Sequence, residues 1–244
     1  MDRILVTGGT GRLGRELVKA FSGCLSPTRR DLDITDCVSV RHFVKGHSFS
    51  TVIHCAALTD VRQCERNREL AWKVNVHGVE NLVRACLEVG QDIYFVFIST
   101  ACVFAGDRGD YSEEDVPFPK NFYALTKLLG EFVVQHSGLK KSLVIRTNFV
   151  ARERWPYEKA FVDRFGTYLF ADDVARAIQS LLPKEMEGTV HVCGDTRISM
   201  YDLALITSPG VRPMAMDEYV GPPLTVEMSL RSVRVGAFKM RRNA

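Results

Sequence analysis

A tyrosine and a lysine four residues apart are the side chains best placed for acid–base chemistry. Tyr123 and Lys127 begin a segment of helical periodicity, and their i, i+4 spacing puts both on one face. A phenol has a pKa of about 10, which a nearby ammonium lowers by stabilising the phenolate. The pair can therefore donate a proton to a carbonyl oxygen that is being reduced.

A threonine near the end of a predicted strand could complete this set. Thr100 follows the apolar run at residues 94–98, and ligands bind at the carboxyl edge of open α/β sheets. We expect its hydroxyl to hold the same carbonyl oxygen. The Tyr123–Lys127 spacing alone would also fit a surface pair on an amphipathic helix. Thr100 at the end of a strand, together with a glycine loop elsewhere in the chain, favours the catalytic interpretation of the pair.

That glycine loop lies between the first predicted strand and the first predicted helix. Gly9, Gly11 and Gly14 fit the pattern G-x-G-x-x-G, and Gly8, Gly11 and Gly14 fit G-x-x-G-x-x-G. Such a loop turns tightly, lets the backbone approach a pyrophosphate and aims a helix N-terminus at it. The position favours dinucleotide binding over a merely structural turn. The loop residues expected to contact the cofactor are Gly8, Gly11, Arg12, Leu13 and Gly14.

The residues expected to select the dinucleotide give conflicting indications, some for NAD and others for NADP. Asp31 and Asp33 lie at about the distance from the loop at which an acidic residue selects NAD. Arg29 and Arg30 precede them at the predicted end of the second strand, where a guanidinium can pair with a 2′-phosphate. Arg12 could join them, although solvated surface arginines would show the same pattern. We expect NADP(H) rather than NAD(H).

The elements that must position these residues alternate along the first 150 residues. Helical periodicity predicts helices at residues 11–21, 36–46, 66–89 and 122–136. Apolar runs predict strands at residues 3–6, 24–26, 51–55, 94–98 and 142–145. The alternation predicts an α/β protein with a Rossmann-type, doubly wound parallel sheet.

The pattern loosens in the second part of the chain. A helix is predicted at residues 172–182, a strand at 190–193 and a short helix at 200–206, and prolines become frequent after Thr207. We expect residues 1–150 to form a dinucleotide-binding domain. Residues 151–244 should return to the sheet and form a small, irregular C-terminal lobe.

Composition excludes several classes of protein. The 244 residues include 32 basic and 29 acidic ones, and a net charge of +3 supports neither nucleic-acid nor membrane-surface binding. The seven cysteines are isolated, which argues against a disulfide framework or a metal site. Neither a signal peptide nor an apolar run long enough to span a membrane is found. We expect a cytoplasmic location.

Taken together, these segments resemble the extended short-chain dehydrogenase/reductases. Within that family the chain is most similar to the dTDP-4-dehydrorhamnose reductase branch, whose relatives include the regulatory β-subunit of methionine adenosyltransferase. The resemblance runs nearly end to end and is densest before residue 150. The matching positions are residues 6–14, 32–36, 54–60, 98–104, 111–115, 123–127, 146–149 and 171–175, with Cys64, Glu65, Asn75, Gly106, Gly130 and Glu131.

The resemblance implies a role for each matched residue. Thr100, Tyr123 and Lys127 fall on the family's catalytic positions, and Asn75 falls on an asparagine linked to a proton-relay water. An arginine after the second strand implies NADPH. The remaining residues implied to contact the cofactor are Asp33 and Ile34 around the adenine, Ala56, Ala57 and Thr59 along the trough, and Tyr123 and Lys127 themselves.

Three departures fall on the substrate side. Ala101 stands where the family's reductases commonly have aspartate, residues 152–171 are shorter than the usual substrate loop, and the chain after Thr207 is trimmed. The leading hypothesis is an NADPH-dependent reductase of a nucleotide-linked 4-keto-6-deoxy sugar. The alternatives are a non-catalytic NADP-binding regulatory subunit of a partner enzyme, and a nucleotide-sugar epimerase or dehydratase. Neither the sugar, the nucleotide nor the oligomeric state, whether a homo-oligomer or a complex with a partner enzyme, follows from the sequence.

Overall fold

A five-stranded parallel sheet forms the centre of the computed structural model, which describes residues 3–90 and 92–242. Its strands lie in the order β1, β2, β3, β4, β9. The strands of the described chain are β1 (Ile4–Thr7), β2 (Thr51–His54), β3 (Tyr94–Thr100), β4 (Lys141–Thr147), β5 (Phe149–Val150), β6 (Lys159–Phe161), β7 (Phe165–Gly166), β8 (Leu169–Phe170), β9 (Gly188–Val192), β10 (Ile198–Ser199), β11 (Arg212–Met214) and β12 (Glu227–Met228).

Helices connect these strands and cover both faces of the sheet. Side chains cap several of them, as where Asp36 accepts a hydrogen bond from the Val38 N–H at the start of α2. The helices are α1 (Arg12–Ala20), α2 (Cys37–Gly46), α3 (Val61–Arg66), α4 (Arg68–Trp72), α5 (Gly78–Glu88), α6 (Phe122–Gln135), α7 (Ala171–Leu181) and α8 (Met200–Thr207). The predicted doubly wound parallel sheet is confirmed.

The core consists of two apolar layers, one on each side of the sheet. Because side chains alternate along a strand, Val6 packs with α1 and α7 whereas its neighbour Leu5 packs with α2 and α5. Strand β3 is buried along its whole length, as its continuous apolar sequence predicts. The second part of the chain contributes α7 and β9 to this core.

Two predicted elements differ from the structure. The predicted strand at residues 24–26 is reduced to a single bridge, in which Leu25 pairs with Leu5 at the edge of the sheet. The predicted helix at residues 66–89 is divided at Asn67, whose side chain caps α4, and by a π-helical turn at Lys73–His77. Periodicity does not reveal the turn, because one wide turn leaves the apolar face nearly continuous.

Short strands build the small lobe beside the sheet. Strand β5 pairs with β8, β6 pairs with β11, and β7 lies between β10 and β12. The last described residues run along the sheet, where Phe238 pairs with Gly194 after β9. None of the helices among the described residues is both long and apolar enough to cross a membrane.

Candidate active site

Three loops meet at the carboxyl edge of the parallel sheet. Strand β1 ends at Thr7 and leads into the glycine loop, β2 ends at His54 before residues 55–60, and β3 ends at Thr100. The loops lie side by side because β1 pairs with β2 and β2 pairs with β3, all in parallel. The glycine loop, residues 55–60 and Thr100 are therefore brought to one edge of the sheet.

The glycine loop has the geometry that a pyrophosphate requires. Gly8 has a φ of +71°, and a Cβ there would lie 2.7 Å from the Ala56 nitrogen. A Cβ on Gly14 would lie only 2.0 Å from the Gly8 oxygen, so helix α1 packs directly onto the loop. Gly11 is the exposed N-cap residue of α1, and no side chain there covers the end of the helix. The first N–H groups of α1 therefore face an open surface where an anion can bind.

The two aspartates after Leu25 form hydrogen bonds within their own loop. Asp31 accepts hydrogen bonds from the Thr28 N–H (2.9 Å) and hydroxyl (2.7 Å). Asp33 accepts from the Thr35 N–H (2.9 Å) and hydroxyl (2.7 Å). The two bonds from Thr28 hold the pKa of Asp31 below its usual value. Both carboxylates thus stabilise turns of their own loop.

The two arginines of this loop are exposed. Arg29 Nε lies 3.4 Å from Asp33 Oδ2, and the Arg29 side chain is 75% exposed. Arg30 and Arg12 are also exposed. A contact this long and this exposed leaves the guanidinium able to turn toward a phosphate. The arginines are thus exposed at the surface, whereas the two aspartates are engaged in turns of the loop.

The residues implied to contact the adenine and the trough lie farther along the same edge. Ile34 is buried against Gly78, where a Cβ would come within 2.8 Å of the Ile34 side chain. Asn81 donates a hydrogen bond to the Ile34 carbonyl (2.9 Å), which ties this loop to α5. Ala56 and Ala57 are half-buried and Thr59 is exposed, so the loop after β2 offers small side chains to a ligand.

Thr100 and Tyr123 meet at the end of β3. The Thr100 hydroxyl accepts a hydrogen bond from the Cys102 N–H (3.1 Å), so its own proton is available to a partner. Burial raises the pKa of Tyr123 and Cys102 adds to the increase, whereas the nearby Thr100 side chain opposes it. Tyr123 is therefore a protonated phenol near neutral pH, as a proton donor must be.

Lys127 lies one helical turn beyond Tyr123 and is 4% exposed. Its Nζ is 4.0 Å from the centroid of the Phe97 ring, which attracts the ammonium. Burial lowers the pKa of Lys127 to about 8, while the charge of Glu131 opposes the decrease. The lysine thus titrates close to the physiological range, where its charge can influence the tyrosine.

Asn75 lies in the π-helical turn and is buried. Its Oδ1 accepts from the Leu58 N–H (2.7 Å), and its Nδ2 donates to the Leu58 carbonyl (2.9 Å) and to Thr126 Oγ1 (3.0 Å). The side chain therefore fastens the loop after β2 to helix α6, which carries Tyr123 and Lys127. Its place in a proton relay stays a prediction.

Buried polar groups that the sequence analysis did not interpret surround this site. His54 is fully buried, its Nδ1 lies 2.6 Å from Thr7 Oγ1, and its pKa is lowered by burial to about 3. Behind Lys127, Glu131 and Arg146 form a buried ion pair. Both residues are among the positions that match the family, and Glu131 follows Lys127 at a spacing of four residues, but neither signal predicts that they pair.

The small lobe packs against the turn that follows Thr100. Thr225 Oγ1 donates to the Cys102 carbonyl (3.3 Å), and Arg164 Nε donates to the Thr225 carbonyl (2.9 Å). Ala101, the position of the expected aspartate, is fully buried in the apolar core. An alanine suits these surroundings because an unpaired carboxylate would be costly there.

A pocket of about 240 Å³ opens beside α3, and Arg62, Glu65, Arg66, Val220, Gly221 and Pro222 line it. Glu65 Oε1 accepts a hydrogen bond from the Phe122 N–H (2.7 Å), which places the pocket next to the first turn of α6. Arg62 donates to the Val220 carbonyl (3.0 Å) and so joins α3 to the lobe.

Comparison with known proteins agrees with this geometry. Residues 1–219 match the family described as RmlD substrate binding domain. A dTDP-4-keto-6-deoxy-D-glucose reductase from Streptomyces niveus is 33% identical over 91% of this chain and 86% of its own length. The methionine adenosyltransferase 2 subunit beta of Rattus norvegicus is 28% identical over 90% of this chain and 77% of its own length.

A solved structure shows a similar arrangement of the whole chain. The dTDP-4-dehydrorhamnose reductase of Bacillus anthracis, determined in complex with NADP, superposes with a TM-score of 0.86 at 26% identity. The similarity covers 94% of this chain and 90% of the other.

Proposed function

Because this chain belongs to the RmlD substrate binding domain family, a branch of the short-chain dehydrogenase/reductases, we propose that it is an NADPH-dependent reductase of a nucleotide-linked 4-keto-6-deoxy sugar. The observation that carries the proposal is the meeting of Thr100, Tyr123 and Lys127 beside an open glycine loop at one edge of the sheet. The relatives named as dTDP-sugar reductases support the substrate class.

The cofactor would bind across the carboxyl edge. The open N-terminus of α1 at Gly11 suits the pyrophosphate, and the exposed Arg29 and Arg30 suit a 2′-phosphate. The loop after β2, with Ala56 and Thr59, would line the trough toward Tyr123. When bound, NADPH supplies the hydride. The NADP complex of the similar Bacillus anthracis reductase supports this choice of cofactor.

The residues of this chain would handle the proton. Tyr123 donates its phenolic proton to the carbonyl oxygen of the sugar, and Thr100 holds that oxygen by a second hydrogen bond. The ammonium of Lys127 stabilises the phenolate that remains, because an opposite charge nearby favours the ionised form. Asn75 keeps the Leu58 loop against α6 and so preserves the distance between cofactor and proton donor.

The two parts of the chain would contribute differently to these roles. Residues 1–150 would bind NADP, and residues 151–244 would complete the sheet with α7 and β9 and place the small lobe over the sugar. The contacts from Thr225 and Met228 to Cys102 bring the lobe close to Thr100. The pocket beside α3 would then face the nucleotide end of the substrate.

A second candidate function is a regulatory subunit that binds NADP and a partner enzyme. The similarity to methionine adenosyltransferase 2 subunit beta over 90% of this chain favours it. The retained set of Thr100, Tyr123 and Lys127 favours the reductase, since a pure binding protein has no need of a positioned proton donor.

One assay separates the two functions. NADPH oxidation is followed with a panel of dTDP- and GDP-linked 4-keto-6-deoxy sugars, using the Tyr123→Phe protein as the matched control. We expect turnover with at least one dTDP-linked sugar and its loss in the control. NADPH binding without oxidation of any sugar in the panel would refute the reductase and support the regulatory subunit.

A further inference from the structure

A buried ion pair lies directly behind the candidate catalytic lysine. The side chains of Glu131 on α6 and Arg146 on β4 are 2% and 6% exposed. Arg146 donates from Nε to both carboxylate oxygens (3.0 and 3.1 Å) and from its terminal nitrogen to Oε2 (2.7 Å). Ser99, the residue before Thr100, donates its hydroxyl proton to Oε1 (2.5 Å). The carboxylate is thus held from two strands at once.

The position of Glu131 on the helix connects it to the active site. Tyr123, Lys127 and Glu131 follow one another at intervals of four residues, so they occupy one face of α6. That face packs on β3, where the Phe97 ring lies under the Lys127 ammonium. Because Ser99 and Arg146 take up the hydrogen bonds of the carboxylate, Glu131 acts on Lys127 through its charge.

The other titratable groups around Lys127 are neutral near pH 7. His54, at the end of β2, is buried with its pKa lowered to about 3, and burial raises the pKa of Cys55 to about 12. The Tyr123 phenol is protonated as well. Of these neighbours and Glu131, only Glu131 brings a negative charge that favours the ammonium.

Stability alone does not account for such a pair. Removing two charges from water is expensive, and replacing buried ion pairs by apolar residues is often neutral or stabilising. A buried pair beside a functional lysine is better explained by the field that it creates there. Glu131 is the member of the pair that shares a helix face with Lys127, and its negative charge favours the ammonium.

We propose that Glu131, clamped by Arg146 and Ser99, is a positioning residue that keeps Lys127 in its ammonium form beneath Tyr123. The inference rests on the proposed function, because it assigns the ion pair a part in that proton transfer. Glu131 touches neither substrate nor cofactor in this scheme. Its effect passes entirely through the charge of the lysine.

The direct test is the titration of Lys127 in the cofactor-free protein. Lysine labelled at Cε is incorporated, the Lys127 signal is assigned from its loss in Lys127→Met, and its titration midpoint is followed by NMR. In Glu131→Gln we expect the midpoint to fall by about one pH unit or more, since a nearby opposite charge shifts a pKa by about 1–3 units. The control is Glu88→Gln, which removes a half-exposed carboxylate paired with Arg41 on the surface.

A double variant guards against a folding defect. Glu131→Gln combined with Arg146→Met removes both charges, a replacement that buried pairs often tolerate. We expect its midpoint to lie below that of the wild type but above that of Glu131→Gln. If both proteins fold, as judged by Tm, and both keep the wild-type midpoint, the pair is merely structural and the proposal is overturned.

Activity gives a second, separable readout. If the protein is a reductase, the upper pH limit of kcat/KM should move down in Glu131→Gln together with the NMR midpoint. A shifted midpoint in a protein that reduces no sugar would refute the proposed function and leave the influence of Glu131 on Lys127 intact. A reductase whose midpoint and pH limit both stay unchanged would refute the role of Glu131 alone.

Discussion

Adding a side chain at two glycines of the same loop should have different effects, one on cofactor binding and the other on stability. A Cβ on Gly11 would meet only the Gly8 oxygen, at 3.2 Å, and the backbone of Gly11 has a φ of −74° that any residue adopts. A Cβ on Gly14 would lie 2.0 Å from the same oxygen and 2.7 Å from the Gly9 Cα. We therefore predict that Gly11→Val loses the cofactor but folds, whereas Gly14→Ala loses stability.

The magnitudes follow from what each side chain displaces. Valine at Gly11 stands where the pyrophosphate meets the helix N-terminus, and each hydrogen bond to a charged group contributes about 1.5–3 kcal/mol. Losing two of them would weaken NADPH binding by about 10²–10⁴-fold. Alanine at Gly14 must displace backbone, so its cost should reach or exceed the ~3 kcal/mol upper range of overpacking. For a chain of this length, that lowers Tm by roughly 6–12 °C.

Calorimetric titration with NADPH tests cofactor binding in each variant, and thermal unfolding tests its stability. Gly46→Val serves as the control, because a Cβ at Gly46 meets nothing within 4 Å at the end of α2, away from the loop. Normal NADPH affinity in Gly11→Val would show that the loop does not bind the phosphates. An unchanged Tm in Gly14→Ala would show that the close approach of α1 to the loop is less tight than described.

Three further predictions concern the proton donor, the cofactor and pH. Tyr123→Phe should lower turnover by about 10²–10⁴-fold with little change in NADPH affinity, and near-normal turnover would exclude the phenol as the acid. Arg29→Ala combined with Arg30→Ala should weaken NADPH by about tenfold or more and leave NADH nearly unchanged; equal losses for both, by calorimetry, would count against these arginines. If Lys127 acts as the ammonium, its pKa of about 8 predicts that kcat/KM is highest below that pH and falls as pH rises through it. A rate that stays level to pH 10 would contradict this assignment.

Much of the active site follows from local sequence. The glycine loop could be predicted because its function depends on a strand, a turn and a helix that are consecutive in the chain. Tyr123 and Lys127 could be paired because helical spacing alone puts them on one face. The parallel sheet followed from the alternation of apolar runs and helices, and Thr100 came to its edge simply by ending a strand.

Contacts between distant parts of the chain were decided only by the tertiary structure. The pairing of Glu131 with Ser99 spans 32 residues, and no local pattern encodes it. The π-helical turn that lets Asn75 reach both Leu58 and Thr126 depends on packing between α6 and the loop after β2. The hydrogen bonds that Asp31 and Asp33 accept within their own loop also became visible only in the structure, because spacing along the chain does not show which oxygens are already bonded. Local periodicity thus determined where the candidate catalytic groups lie, and long-range packing determined the charges and hydrogen bonds that surround them.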